Sequence, residues 1–244
     1  MSVMILGCRL DDVDVDTATH TILKFAEERA GAQIVTLGTE MVVYAQRDDL
    51  FRALVNRCAL SLCDTVGLLA AARLRGAALR ERVTGVELID HLCAAAAEAG
   101  VSVYLFGGAP GVAQGAATKL RSRYPLLGIA GTRSGYFGTD DAPAIADDIA
   151  RTGAGLLFVG LGSPRQEFWI ERYLSRTQCG VAVGVGGSFD VISGNVARAP
   201  EAWRRLNLEW LYRLLREPHR WRRQLALPYF VWLVALDGLK SCAR

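Results

Sequence analysis

Three glycine-bearing turns stand directly behind apolar runs of β type: Gly107-Gly108-Ala-Pro-Gly111, Gly162-Ser163-Pro164-Arg165-Gln166-Glu167 and Gly186-Gly187-Ser188-Phe189-Asp190. Each leads into a helical pattern. Such a turn lets backbone N–H groups approach a phosphate, and the helix behind it favours negative charge. One turn of this kind often serves only tight strand–helix packing; three in one chain point to a nucleotide or sugar phosphate. Asp64 has a different character. It closes the run 59–63 and precedes Thr65-Val-Gly67, so it projects from a sheet edge, where a carboxylate is placed to take the proton from an attacking hydroxyl. The alternative is a cap on the helix that follows. Thr36 closes a neighbouring run and is its polar partner; the alternative there is a β-former whose hydroxyl caps the helix at Met41. One base and one nucleophilic hydroxyl suffice for direct displacement at an anomeric carbon, with inversion.

Other chemistries lack residues. The series Asp12-Val-Asp14-Val-Asp16 has a spacing that can hold a divalent ion, but its alternation with valine before the first helix reads better as an edge strand running into a helix cap. The six cysteines are scattered with no CxxC pair, and the three histidines show no ligand spacing, so no metal site and no His-based triad is expected. Buried thiols in a reducing cytosol are the expectation instead. No strand–GxGxxG–helix unit occurs, which argues against a dinucleotide oxidoreductase.

The elements that must position these residues alternate from about residue 33 to 187. Strands are expected at 33–37, 59–63, 101–106, 128–132, 156–161 and 181–185, with helices at 41–56, 86–99, 112–124, 142–151 and 165–176. This predicts an α/β fold: a mostly parallel sheet with helices on both faces. Pro110 and Pro164 stand where first helical residues belong, and Gly100 and Gly153 where left-handed C-caps belong. Ligands of such sheets collect at the carboxyl ends of the strands. Past Gly194 strand signal ceases. We expect a catalytic core at 1–194 and a helical appendage at 195–244, with helices at 201–215 and 218–239.

Charge singles out the appendage. The net charge is +3, but residues 198–223 hold eight arginines and three glutamates, +5, leaving −2 elsewhere. A core with no excess of positive charge argues against nucleic acid as a partner. Arginines beside Trp221, Tyr229, Phe230 and Trp232 suit an interfacial helix on anionic membrane; a buried helix of a homo-oligomer is the alternative. The apolar run 225–236 is a dozen residues, short of the about 20 needed to span. The first nine residues do not read as a signal peptide.

Several motifs then occur in order: Arg82-Val-Thr-Gly85, Tyr124-Pro125, Gly135-Tyr-Phe137, Gly162-Ser-Pro-Arg-Gln166-Glu167, Val185-Gly-Gly-Ser-Phe-Asp190, Arg198-Ala-Pro200, and Leu208-Glu-Trp-Leu-Tyr-Arg-Leu214 with Glu217-Pro218. Together, from about Thr36 to Arg223, they resemble the WecG/TagA/CpsF family of bacterial glycosyltransferases, glycosyltransferase family twenty-six. The resemblance implies a Rossmann-like α/β core, a UDP-sugar donor, a polyprenyl-diphosphate-linked acceptor, cell-surface polysaccharide synthesis and a peripheral place on the inner face of the cytoplasmic membrane. UDP-sugar is then a substrate, and neither a cofactor nor a divalent metal is expected. Asp64 matches the family's proposed base, Thr36 and Gln166 its active-site threonine and glutamine, and Asp190 an aspartate of the nucleotide pocket. Nucleotide-sugar binding is expected at Gly107, Gly108, Tyr136, Gly162, Pro164, Glu167, Gly186 and Asp190. Arg82, Arg213, Arg216, Arg220 and Arg223 are the candidates for diphosphate or lipid phosphate. Two positions depart from the family pattern. Thr36-Leu37-Gly38 stands where Thr-x-Asn is common, and Asp64-Thr65 where Asp-Gly is common. Loss of the amide side chain leaves the sugar open between an N-acetylmannosamine type and a hexose. A non-catalytic module for nucleotide sugar or lipid phosphate is the alternative to an enzyme.

Overall fold

The computed structural model describes residues 1–77, 79–205, 209–216 and 225–242. Six short apolar runs form one parallel sheet: β3 Ala32–Leu37, β4 Leu60–Cys63, β5 Val103–Gly107, β6 Ile129–Arg133, β7 Leu156–Gly160 and β8 Val181–Gly184, in the order β4-β3-β8-β7-β5-β6. Ahead of it, β1 Ser2–Ile5 and β2 Cys8–Asp11 make an antiparallel hairpin. Successive strand side chains point to opposite faces, so each apolar run supplies two cores. Ile34, Leu105, Phe158 and Val183 face one side, and Val35, Phe106, Val159 and Ala182 the other.

On the first face lie α1 Val15–Glu27, α5 Gly85–Ala99, α6 Val112–Arg123 and α9 Ser188–Ser193. The second face carries α2 Thr39–Ala45, α3 Asp49–Arg57, α4 Val66–Leu74, α7 Ala142–Thr152 and α8 Arg165–Thr177. The doubly covered parallel sheet expected from the alternation is therefore present. Gly100 and Gly153 end α5 and α7 in the left-handed conformation, as their positions predict. Asp14 of the valine-alternating series caps α1, accepting from the Thr17 N–H at 2.8 Å.

Some boundaries differ. The helix expected over 41–56 is two helices, because the Asp48 side chain accepts from the Phe51 N–H and starts α3 afresh. Neither proline is a first helical residue: α6 begins at Val112 behind a left-handed Gly111, and Pro164 is the N-cap of α8. In the appendage, α10 Glu201–Arg205 and α11 Glu209–Arg216 are joined by an edge contact of Trp203 on Tyr212. The helix expected from Pro218 is described as α12, Ala226–Cys242; Pro218 itself, with Arg220 and Arg223, lies outside the described residues. Pro228 is the third residue of α12, where an N–H would have no intrahelical acceptor.

Helix α12 packs on α2 and α4 and buries Phe230 and Val234 in the same apolar cluster as Met41, Leu68 and Ala72. An Arg75–Asp237 ion pair and the Arg47 guanidinium over the Tyr229 ring, 5.4 Å from its centroid, hold its flank. Among the described residues no helix is long and apolar enough to cross a membrane.

Candidate active site

A cleft of about 1370 Å³ runs along the carboxyl ends of the sheet. All six strands feed it: Gly38 follows β3, Asp64 and Thr65 follow β4, and Gly108 follows β5. Gly135 and Tyr136 follow β6, Gly162 follows β7, and Val185 to Ser188 follow β8. Topology dictates this place. From β5 the chain moves outward to β6, whereas from β7 it moves the opposite way to β8, so the ends of β5 and β7 form a switch point where loops diverge and leave a crevice.

The crevice floor is made by backbones in contact. Gly107 has φ 144°, and a Cβ there would stand 2.3 Å from the Gly160 carbonyl oxygen, so only glycine fits. The Gly108 N–H donates to that same carbonyl at 3.0 Å, and the Gly135 N–H donates to Gly108 O at 2.8 Å. Gly108 and Ala109 of this turn line the cleft.

At the other end, the β3–β4 ladder continues one residue past β4: the Asp64 N–H donates to Leu37 O at 2.9 Å, which fixes the half-buried Asp64 on the cleft wall. The Val83 N–H donates to Cys63 O at 2.8 Å and so holds the Arg82 segment beside the same strand end. Helix α4 is entered through Thr65, which makes no side-chain cap bond. The Thr36 hydroxyl does not cap α2 either; it donates to Gly184 O at 2.9 Å, in the middle of the sheet. Gln166 lies against that same Gly184, where a Cβ would stand 2.8 Å from its Nε2. Its Oε1 accepts from the Gly186 N–H at 3.0 Å, and its Nε2 donates to Glu167 Oε1 at 2.7 Å. Thr36 and Gln166 are thus both registered on the end of β8. Burial pushes the Glu167 carboxyl above the ordinary carboxylate range.

Of the residues expected from the sequence, Thr36, Asp64, Arg82, Gly108, Tyr136, Gly162, Pro164, Gln166, Gly186 and Asp190 all line this one cleft. Tyr136 stands at its rim, 73% exposed. Two lie behind the wall: Gly107 is packed on Gly160, and Glu167, 1% exposed, supports Gln166 from below. Arg216 is not part of the cleft lining; its Nε donates to Tyr212 Oη at 3.4 Å. The backbone of Arg213 belongs to α11. Two arginines not singled out from the sequence do line the cleft. Arg165, the first residue of α8, sits with its guanidinium 4.4 Å from the Phe137 ring centroid, and Arg198 pairs with Glu87 at 2.9 Å. Their signal was present, since both stand inside motifs with no apolar period to explain them.

The buried cysteines belong to packing. Burial pushes the Cys8 thiol up to about 11 and the Cys58, Cys63 and Cys93 thiols up to about 12, which leaves them protonated and unreactive at neutral pH.

The profile of the glycosyl transferase WecG/TagA/CpsF family matches residues 3–243. A relative from Bacillus spizizenii (strain ATCC 23059 / NRRL B-14472 / W23) is 36% identical over 229 residues, covering 93% of this chain and 88% of its own. A second, from Bacillus subtilis (strain 168), is 36% identical over 210 residues, covering 86% and 81%. Both carry the name N-acetylglucosaminyldiphosphoundecaprenol N-acetyl-beta-D-mannosaminyltransferase. With a parallel sheet whose strand ends gather the family's motif residues into one cleft, the chain belongs to the WecG/TagA/CpsF family and is a glycosyltransferase.

Proposed function

We propose that this enzyme moves a sugar, with inversion, from a UDP-sugar to a saccharide carried on a polyprenyl diphosphate, during assembly of a cell-surface polysaccharide. The observation that carries this reading is the meeting of Asp64 with Thr36, Gln166 and the phosphate-sized glycine turns in a single cleft. Asp64 takes the proton from the acceptor hydroxyl; the oxygen attacks the anomeric carbon from the face opposite the diphosphate; the bond to the diphosphate breaks and UDP leaves. Charge that grows on the leaving group meets the N–H groups of the turns at 107–111 and 162–166 and the Arg82 guanidinium. The reaction as proposed uses no metal ion and no other cofactor. The donor is of the UDP-N-acetylmannosamine type or a UDP-hexose, and the names of the relatives favour the former.

The acceptor reaches the cleft from the membrane. Leu225 and the α12 side chains Val231, Trp232 and Leu236 are exposed, and Leu227 lines the cleft, so one helix touches both site and surroundings. In this reading residues 1–194 do the chemistry, and residues 195–244 hold the enzyme peripherally on anionic lipid at the inner face of the cytoplasmic membrane.

Transfer is measured across UDP-N-acetylmannosamine, UDP-N-acetylglucosamine and UDP-glucose with a short-chain prenyl-diphosphate N-acetylglucosamine acceptor, and the product's anomeric configuration is read by NMR. One donor should give rapid turnover with inversion. Retention of configuration would refute direct displacement, and UDP-sugar binding without turnover would favour a non-catalytic module.

A further inference from the structure

Gly38 and Thr65 begin α2 and α4 on adjacent strand ends, and both line the cleft on either side of Asp64 and Thr36. The backbone of Gly38 (φ −108°, ψ 167°) is extended, a conformation open to any residue, so nothing in the chain path calls for glycine. It is also an N-cap that leaves its helix without a side-chain cap bond, where asparagine, aspartate or serine would supply one. A Cβ built on Gly38 has one neighbour within 4 Å, the Cγ2 methyl of Thr65, at 3.4 Å. The next atom of a longer side chain has that methyl on one side and the open cleft on the other. Thr65 is peculiar in turn. Its hydroxyl is buried without a hydrogen-bond partner, although a threonine at an N-cap ordinarily accepts from its own helix. One rotamer step carries the hydroxyl into the position the methyl now holds, facing the space above Gly38, and moves the methyl to the position of the Cβ hydrogen.

We infer that Gly38 and Thr65 act as one specificity-determining pair: the Thr65 methyl bounds the space that a side chain at 38 longer than Cβ would enter, and together they set which sugar substituent is accepted beside Asp64. This rests on the proposed glycosyl transfer. With glycine at 38, the wall next to the base offers no amide to a bound sugar. The Thr65 hydroxyl is the polar group left to recognise a substituent there, and a hydroxyl recognises a sugar hydroxyl or the N–H of an acetamido group by different geometry. A side chain at 38 beyond Cβ is tolerated once Thr65 is trimmed, and with it the recognised substituent changes.

The test is a four-member cycle of wild type, G38N, T65G and G38N/T65G, read in two ways. In thermal unfolding, G38N should lower Tm in the wild-type background but raise it in the T65G background, where the new side chain is free to cap α2; this change of sign needs no catalysis. In transfer with the three UDP-sugars above, G38N alone should lower kcat/KM for the preferred donor by about tenfold or more. The double variant should recover most of that loss, while its preference between acetamido and hydroxyl sugars shifts by about tenfold. Additive effects in both readouts would overturn the pair. A change of sign in Tm with the same loss for every donor would reduce it to packing and overturn its part in specificity. Turnover by wild type with no donor would refute the functional reading instead, and with it the specificity role, whatever the Tm cycle shows.

Discussion

Asp14 and Asp48 start α1 and α3 away from the cleft, and each accepts a hydrogen bond from the N–H three residues on, at 2.8 and 2.9 Å. Gly38, Thr65, Pro164 and Gly187 start α2, α4, α8 and α9 on the cleft, and none supplies such a bond. Gly111, just behind cleft-lining Gly108 and Ala109, leaves α6 uncapped as well. Thr84 is an exception: it lines the cleft yet caps α5, its hydroxyl accepting from the Glu87 N–H at 3.3 Å and donating to the Glu87 carboxylate, which also pairs with Arg198. Asp141, off the cleft, turns back to accept from the Gly138 N–H instead of capping α7. Every helix begins with N–H groups that have no intrahelical acceptor. Where a carboxylate takes them, they contribute to stability; where the cleft leaves them open, they are available to an anion, which the helix dipole also favours. In the proposed function the same backbone feature serves folding in one region and ligand binding in the other.

The largest effect that separates the two regions belongs to Asp64. Asp64→Asn keeps the shape and removes the proposed base, so transfer should fall by about 10² to 10⁴-fold while UDP affinity and Tm stay near wild type. A comparable fall in Tm with little loss of transfer would move Asp64 into the capping group. Next comes the ligand. UDP at 100 times its dissociation constant should stabilise the fold by about 2.7 kcal/mol, a rise in Tm of several degrees. If caps and cleft are independent, the increment measured by calorimetry is the same in Asp48→Ala as in wild type. That variant tests the other side of the comparison. Loss of the Asp48 cap should lower Tm by roughly 2–4 °C and leave kcat/KM unchanged. A fall in kcat/KM would show that α3 transmits to the site.

The central strands were legible because a parallel strand covered on both faces is a continuous apolar run, as in Leu156–Gly160, whereas the half-buried edge strand Ile129–Arg133 was legible only from its place in the alternation. The first hairpin was not. Its turn places Leu6 and Gly7 both at positive φ (49° and 79°), the geometry that asparagine–glycine usually announces, and leucine hides the signal. The break between α2 and α3 escaped because no glycine or proline interrupts 41–56, and only the side chain of Asp48 marks the new start. In the site, Asp64 was legible because it ends a strand that feeds a ligand edge. The division of labour between Gln166 and Glu167 was not. Both stand in the first turn of α8 and both reach Gly184, and only the bond from the Gly186 N–H to Gln166, made across to the loop after β8, shows which of them faces the cleft. Arg198 stood inside a legible motif, but its place on the cleft was not legible, because its partner Glu87 is 111 residues away in the chain.

The smallest effect is one of sign. The backbone N–H of Phe51 holds the Asp48 carboxyl below the usual carboxylate range, so the folded protein binds that proton less tightly than the unfolded chain. Its contribution is complete above the ordinary value, 3.8, and is lost as pH falls through the lower folded value. Glu167 is the reverse case. Burial raises its carboxyl, so its contribution is complete below the ordinary 4.5 and declines as pH rises towards the folded value. Asp48→Asn keeps a capping oxygen and removes the titration. Its Tm at pH 7 should match wild type within about a degree, with a flatter fall in acid. Glu167→Gln keeps an acceptor for the Gln166 amide and removes the buried charge, so its Tm relative to wild type should be higher at pH 7 than at pH 4. Scanning Tm from pH 3 to 8 for both variants checks the pair of slopes. If both variants deviated from wild type on the same side of pH 4.5, the carboxylate behind the cleft would play the same part as the one at the cap, and the division between the two regions would fail.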